Sequence, residues 1–151
     1  MDKRTIILRA GKKVITHTAV TLKQIARIVH EIAIHLHGGD VIALQGELGA
    51  GKTTFTQLLA QELGVRERVA SPTFVIMKIY SVRNREARMG GIRHLCHIDA
   101  YRLTSSAELY AIAADEYIGR HDGITVIEWA ERVKKLIPPK AIWIDIQHID
   151  D

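Results

Sequence analysis

The chain has 151 residues, 47% hydrophobic and 25% charged, with three prolines; this suits one folded domain and excludes a long disordered tail. Twenty-one Lys and Arg against seventeen Asp and Glu leave a formal charge of +4, a mild excess that suits an anionic partner such as a nucleotide or RNA without choosing between them. Cys96 is the only cysteine, which excludes an intrachain disulfide and fits a reducing compartment. The apolar run within MDKRTIILRAGKK is too brief for a signal peptide, and no stretch approaches the roughly 18 residues of a membrane span, so a cytoplasmic location with no membrane partner is expected.

Residues 6–8 (IIL) and 14–16 (VIT) flank the turn AGKK and predict a hairpin. Thr21 with Gln24 forms a capping box ahead of apolar residues at 22, 25, 26, 29, 32, 33 and 36, an amphipathic helix that Gly38 and Gly39 should stop. DVIALQ (40–45) is a continuous apolar strand of the buried parallel kind, followed by a glycine-rich loop and a helix from about Lys52 to Leu63 ending at Gly64. FVIMKIY (74–80) and HLCHID (94–99) predict strands on either side of the polar, basic loop SVRNREARMGGIR, and alternation puts His97, Asp99 and Tyr101 on one face. Ser105 with Glu108 offers a second capping box for a helix running to about Ile118. ITVIE (124–128), a short helix through Leu136, a Pro-Pro stop and the strand AIWIDIQ (141–147) complete the series. Strands alternating with helices predict an α/β fold with a mainly parallel sheet flanked by helices.

Gly46, Gly51, Lys52 and Thr53 satisfy GxxxxGK[ST], the phosphate-binding P-loop pattern, in the required order of strand, loop and helix. Glycines let main-chain amides converge on phosphate oxygens, and the helix N-terminus adds positive potential. Lys52 would reach the β- and γ-phosphates, Thr53 would offer its hydroxyl to magnesium, and Glu47, Leu48, Gly49, Ala50, Gly51 and Thr54 complete the phosphate cradle.

Hydrolysis or transfer also needs an acid near the metal and a group that orients the nucleophile. Two strands end in acids, at Asp99 and Glu128, and parallel strands deliver their C-terminal ends to one crevice; the residues alone do not say which acid serves the metal and which the water. Thr73, in SPTF, lies about 20 residues past the loop, where a switch segment sensing the γ-phosphate is often found, although an ordinary turn threonine reads the same way. Trp129 is either a stacking partner for a base or a core anchor. His94, Cys96 and His97 could ligate a metal, but His94 and Cys96 face away from His97 and no second ligand pair follows, so zinc is not expected. Arg83, Arg85, Arg88 and Arg93 make the loop 83–93 suited to phosphates or RNA, or to simple solvation.

GELGAGKTT, SPTF, HIDAYRL and IEWAE, in this order and spacing between about residues 15 and 147, resemble the TsaE family. That resemblance implies a small partner-dependent ATPase for threonylcarbamoyl modification of adenosine 37 in tRNA. It would use ATP and magnesium and act on TsaD-like and TsaB-like proteins, with tRNA met indirectly or through the loop 83–93. It assigns Lys52 and Thr53 to phosphate and magnesium, Glu128 to the metal-linked acid and Asp99 to the other functional acid. Thr73, His97, Tyr101, Arg102 and Trp129 fall on further motif positions. Two departures stand out: the loop 81–94 is longer and more basic than the family's hairpin, and the family adds a strand beyond the point where this sequence reaches Asp151. An alternative reading is a small P-loop nucleoside or nucleotide kinase, since IDAYRLTSS echoes such enzymes, though little chain remains for an acceptor pocket. A third is a binding module gated by the bound nucleotide.

Overall fold

The computed structural model describes residues 2–72, 74–83 and 91–149. In chain order the strands are β1 (Arg4–Ala10), β2 (Lys13–Val20), β3 (Val41–Gln45), β4 (Met77–Ser81), β5 (His94–Asp99), β6 (Gly123–Glu128) and β7 (Ile142–His148). The helices are α1 (Leu22–Ala33), α2 (Lys52–Leu63) and the short α3 (Ala107–Ala111). Two 3-10 segments, Ala114–Glu116 and Ala130–Leu136, follow α3 and β6.

All seven strands join one sheet in the order β2-β1-β7-β3-β6-β5-β4. Its centre, β7-β3-β6-β5, is parallel, while the hairpin β1-β2 and the strand β4 run antiparallel at the two margins. Alternation divides the core in two. Ile42, Leu44, Val126 and Ile144 pack with α1 and α2 on one face. Val41, Ala43, Cys96 and Ile98 pack with Leu109, Ala114, Ala130 and Val133 on the other. Two-sided burial is why VIAL reads as an unbroken apolar run and ITVI as one interrupted only by the buried Thr125.

The N-terminus of α1 follows its capping box: Thr21 Oγ1 accepts from the Gln24 N–H and Gln24 Oε1 accepts from the Thr21 N–H, at 3.4 and 2.7 Å. The C-terminus departs from expectation. α1 ends at Ala33 with Ile34 still right-handed, and Gly38 is needed for a different reason, because a Cβ there would collide with the carbonyl oxygen of His121. The helix predicted from 105 to 118 is also broken. Ser105 and Ser106 make no side-chain cap, Glu108 turns back to accept from the Thr104 N–H at 2.9 Å, and Ala113 takes the left-handed φ of 58° that lets Ala114 bury completely. The strand predicted from 74 starts three residues later, after Ile76 at φ 67°. The short helix expected after β6 is a 3-10 segment.

Both edges of β7 are paired, one with β3 and the other with β1. The edge that a strand following β7 in a hairpin would take is therefore held by the N-terminal hairpin, and Arg4 of β1 reaches the glycine loop by donating from Nε to the Ala50 carbonyl at 2.7 Å.

Candidate functional site

The loop between β3 and α2 bends through Gly46, Gly49 and Gly51, at φ 150°, 77° and 114°. These values lie in or beyond the left-handed region that side chains avoid. Gly46 has a second constraint, since a Cβ there would run into the carbonyl oxygen of Ile146 on β7. α2 starts at Lys52 with Gly51 as N-cap, no side-chain cap and no acid in its first turn, so the positive end of the helix dipole faces the loop uncompensated. Lys52 is only 4% exposed. Its ammonium donates to the carbonyls of Gly46 and Glu47 at 2.6 and 2.8 Å and lies 4.1 Å from the centre of the Trp129 ring. Burial holds its pKa below the ordinary lysine value, while Glu128, Glu131 and Asp99 pull the other way.

Asp99 and Glu128 are register partners at the C-terminal ends of the adjacent parallel strands β5 and β6. Both are buried, and both carboxylates are held. Thr53 Oγ1 donates to Glu128 Oε1 at 2.9 Å, and His97 Nε2 meets the other oxygen, Oε2. Asp99 accepts from the Tyr101 N–H through Oδ1 at 2.9 Å and from the Ser71 hydroxyl through Oδ2 at 2.7 Å. Together Lys52, Thr53, Asp99 and Glu128 line a cleft of about 400 Å³, with Leu48, Gly49, Gly51, Thr54, Ser71, Tyr101 and Trp129 around it. Trp129 takes a left-handed φ of 57°, which carries its ring to 4.8 Å from Tyr101, and Arg132 lies 5.3 Å from both rings. Trp129 packs against the second core cluster and also lines the cleft.

Two members of the expected phosphate cradle have further contacts. Glu47 lies outside the cleft and contributes its carbonyl to Lys52. Ala50 is buried in the core, its N–H bonded to Glu47 O at 3.0 Å. Thr73, Arg85 and Arg88 fall outside the described residues. Arg83 and Arg93, beside the basic segment, are exposed; the Arg83 N–H donates to Gly64 O at 3.3 Å and Arg93 O accepts from the Val82 N–H at 2.9 Å. Sequence reasoning missed Ser71, Arg4 and His148, the last of which places Nε2 2.9 Å from Gly49 O; no spacing pattern ties these residues to the loop, only the fold does. Cys96 is fully buried, and burial pushes its thiol up to about 12.

The family model described as "Threonylcarbamoyl adenosine biosynthesis protein TsaE" matches residues 19–151. The chain belongs to the TsaE family. A relative in Bacillus subtilis (strain 168), named tRNA threonylcarbamoyladenosine biosynthesis protein TsaE, is 38% identical over 75% of this chain and 65% of its own length. A TsaE of the same name in Treponema pallidum (strain Nichols) is 38% identical over 77% of this chain and 78% of its own. The alignment thus spans a little under two thirds of the Bacillus relative and most of the Treponema one. Among solved structures, Bacillus subtilis YdiB superposes with a TM-score of 0.67 at 29% identity, covering 100% of this chain and 81% of that one. The α/β fold read from the sequence is therefore the fold of this TsaE family member. No helix among the described residues is long and apolar enough to cross a membrane.

Proposed function

We propose that this chain binds ATP with magnesium in the cleft between the glycine loop and the tips of β5 and β6, and hydrolyses it in the cytoplasm. The hydrolysis serves threonylcarbamoyl modification of adenosine 37 in tRNA, through action on TsaD-like and TsaB-like proteins. The observation that carries this reading is the convergence of Lys52, Thr53, Asp99 and Glu128 on one cleft, with Thr53 bonded to Glu128 at 2.9 Å.

The donor set fits the ion. A hydroxyl and a carboxylate, from Thr53 and Glu128, are the hard oxygen ligands magnesium prefers, and no group of three or more His, Cys, Asp and Glu among the described residues could hold a metal alone. That is expected where most of the shell comes from phosphate and water. When bound, magnesium would neutralise charge developing on the transferred phosphoryl group. The chain's own residues divide the remaining work. Lys52 and the uncompensated N-terminus of α2 attract the phosphates, and Thr53 and Glu128 present the metal's protein ligands. Asp99, fixed from two sides by Ser71 and Tyr101, orients the attacking water, while Trp129 and Tyr101 shield the cleft from bulk solvent. Thr73 would sense the terminal phosphate, and tRNA is met through the partner proteins or through the loop 83–93.

Phosphate release by the purified chain, alone and with TsaD-like and TsaB-like proteins, tests the proposal. Turnover should be slow alone, change on adding the partners, and fall about 10²-fold or more in Lys52→Ala. Equal turnover by that variant overturns the reading, and label from ATP recovered on a nucleoside or nucleotide instead of in phosphate would identify a kinase.

A further inference from the structure

His97 is the one histidine in the chain with no exposed surface, and it stands in the middle of β5, opposite Val126 and two residues before Asp99. A strand centre buried on both faces ordinarily takes Val, Ile or Leu, as Leu95 and Ile98 do here. An imidazole there costs free energy unless it is hydrogen-bonded. Its Nε2 is bonded, to Glu128 Oε2, whereas Nδ1 is buried with no partner among the described residues. Taking Nε2 as the donor to the carboxylate leaves Nδ1 as the orphaned atom of the ring. Half of this side chain's hydrogen-bonding capacity is thus given up for a single contact.

That contact completes a row. The Thr53 hydroxyl holds Oε1 of Glu128 and His97 holds Oε2, so the carboxylate is gripped at both oxygens from two different elements, α2 and β5. Glu128 is 2% exposed, and Thr53 and His97 are the side chains bonded to its carboxylate among the described residues. Without His97 the carboxylate would keep one anchor and swing about the Thr53 bond, and Thr53 is the hydroxyl required to face the metal. We infer that His97 is a positioning residue: its Nε2–H fixes the Glu128 carboxylate in the orientation that presents Thr53 and Glu128 jointly to a divalent cation. The inference rests on the ATP-magnesium reading and deepens it, because it assigns the metal's affinity, and not the nucleotide's, to His97.

The test compares binding of a fluorescent ATP analogue with and without magnesium by the native chain, His97→Gln, His97→Asn and His97→Leu, with thermal melts run on each. Gln can place an amide N–H where the imidazole Nε2–H stood; Asn is too short and Leu has no donor. In magnesium-free buffer all folded chains should bind the analogue alike. The gain in affinity on adding magnesium should survive in His97→Gln and fall about tenfold or more in His97→Asn and His97→Leu, the loss typical of removing a group that orients a metal ligand. A magnesium gain in the Asn or Leu chain equal to the native one overturns the inference while leaving the ATP reading intact. So does failure of both to fold, which would make His97 a core residue only. Absence of analogue binding by the native chain overturns both.

Discussion

Lys52 is held in an environment that its charge opposes. Its ammonium is removed from water and given two loop carbonyls and an aromatic face in exchange, and burial outweighs the pull of three nearby carboxylates so that its pKa lies below the ordinary 10.5. A lysine whose folded pKa is depressed binds fewer protons in the fold than in the unfolded chain between the two values. Its contribution to stability is therefore unfavourable below the folded pKa and is relieved as pH rises toward 10.5. Chemical denaturation of the native chain and of Lys52→Met at pH 8 and pH 10 should show the native chain gaining on the variant at the higher pH; a gap that stays flat or moves the other way contradicts this. Under the proposed function the same desolvation would prepare the residue for phosphate, because an anion arriving in the cleft would supply the counter-charge that the loop carbonyls provide only in part. Trp129 belongs to the same argument: a left-handed φ at a bulky residue is costly, and what it achieves is the approach of the ring to Lys52 and Tyr101.

Two helices in this chain carry the same capping signature, and only one of them uses it. At α1 the Thr21–Gln24 box forms in both directions, so Thr21→Ala should cost about 1 kcal/mol and lower Tm by roughly 2–4 °C. At α3 the Ser105–Glu108 pair forms no box, and Ser105→Ala should change stability by less than about 0.5 kcal/mol; equal effects from the two variants in thermal denaturation would contradict the structure. The contrast explains what was legible beforehand. α1, β3, the glycine loop, α2, β5, β6 and β7 were readable because local signals and tertiary packing agree there, with a period of 3.6 or an unbroken apolar run ending in a defined stop. The stretch 105–118 was misread because packing overrides its propensity: Ala113 leaves the helical region so that Ala114 reaches the second core cluster. At the site, the P-loop residues and both acids were legible from motif and strand ends. His97's contact with Glu128 and the reach of Arg4 and His148 to the loop were not, since each depends on how strands distant in sequence are placed side by side, and Ser71 was not because it meets Asp99 from the irregular segment between α2 and β4.

The molecule as a whole is organised around its parallel centre. Strand order places β3 between β7 and β6, so the glycine loop leaves the sheet at its middle and the tips of β6 and β5 lie beside it on one side. In such sheets, ligands gather beyond the carboxyl ends of the strands, and residues 52, 53, 99 and 128, spread over half the chain, meet there. On the other side β7 and the N-terminal hairpin brace the loop through His148 and Arg4. Under the proposed function the loop and the start of α2 would hold the phosphates, Thr53 and Glu128 would hold the metal and Asp99 would face the water, the division of labour a metal-dependent triphosphate site requires. A crystal soaked with magnesium and a nonhydrolysable ATP analogue tests this most directly. The account predicts phosphates seated against the loop at Gly49–Thr53, with the ion between Thr53 and Glu128; density for the triphosphate elsewhere, or an ion that avoids both residues, would contradict it.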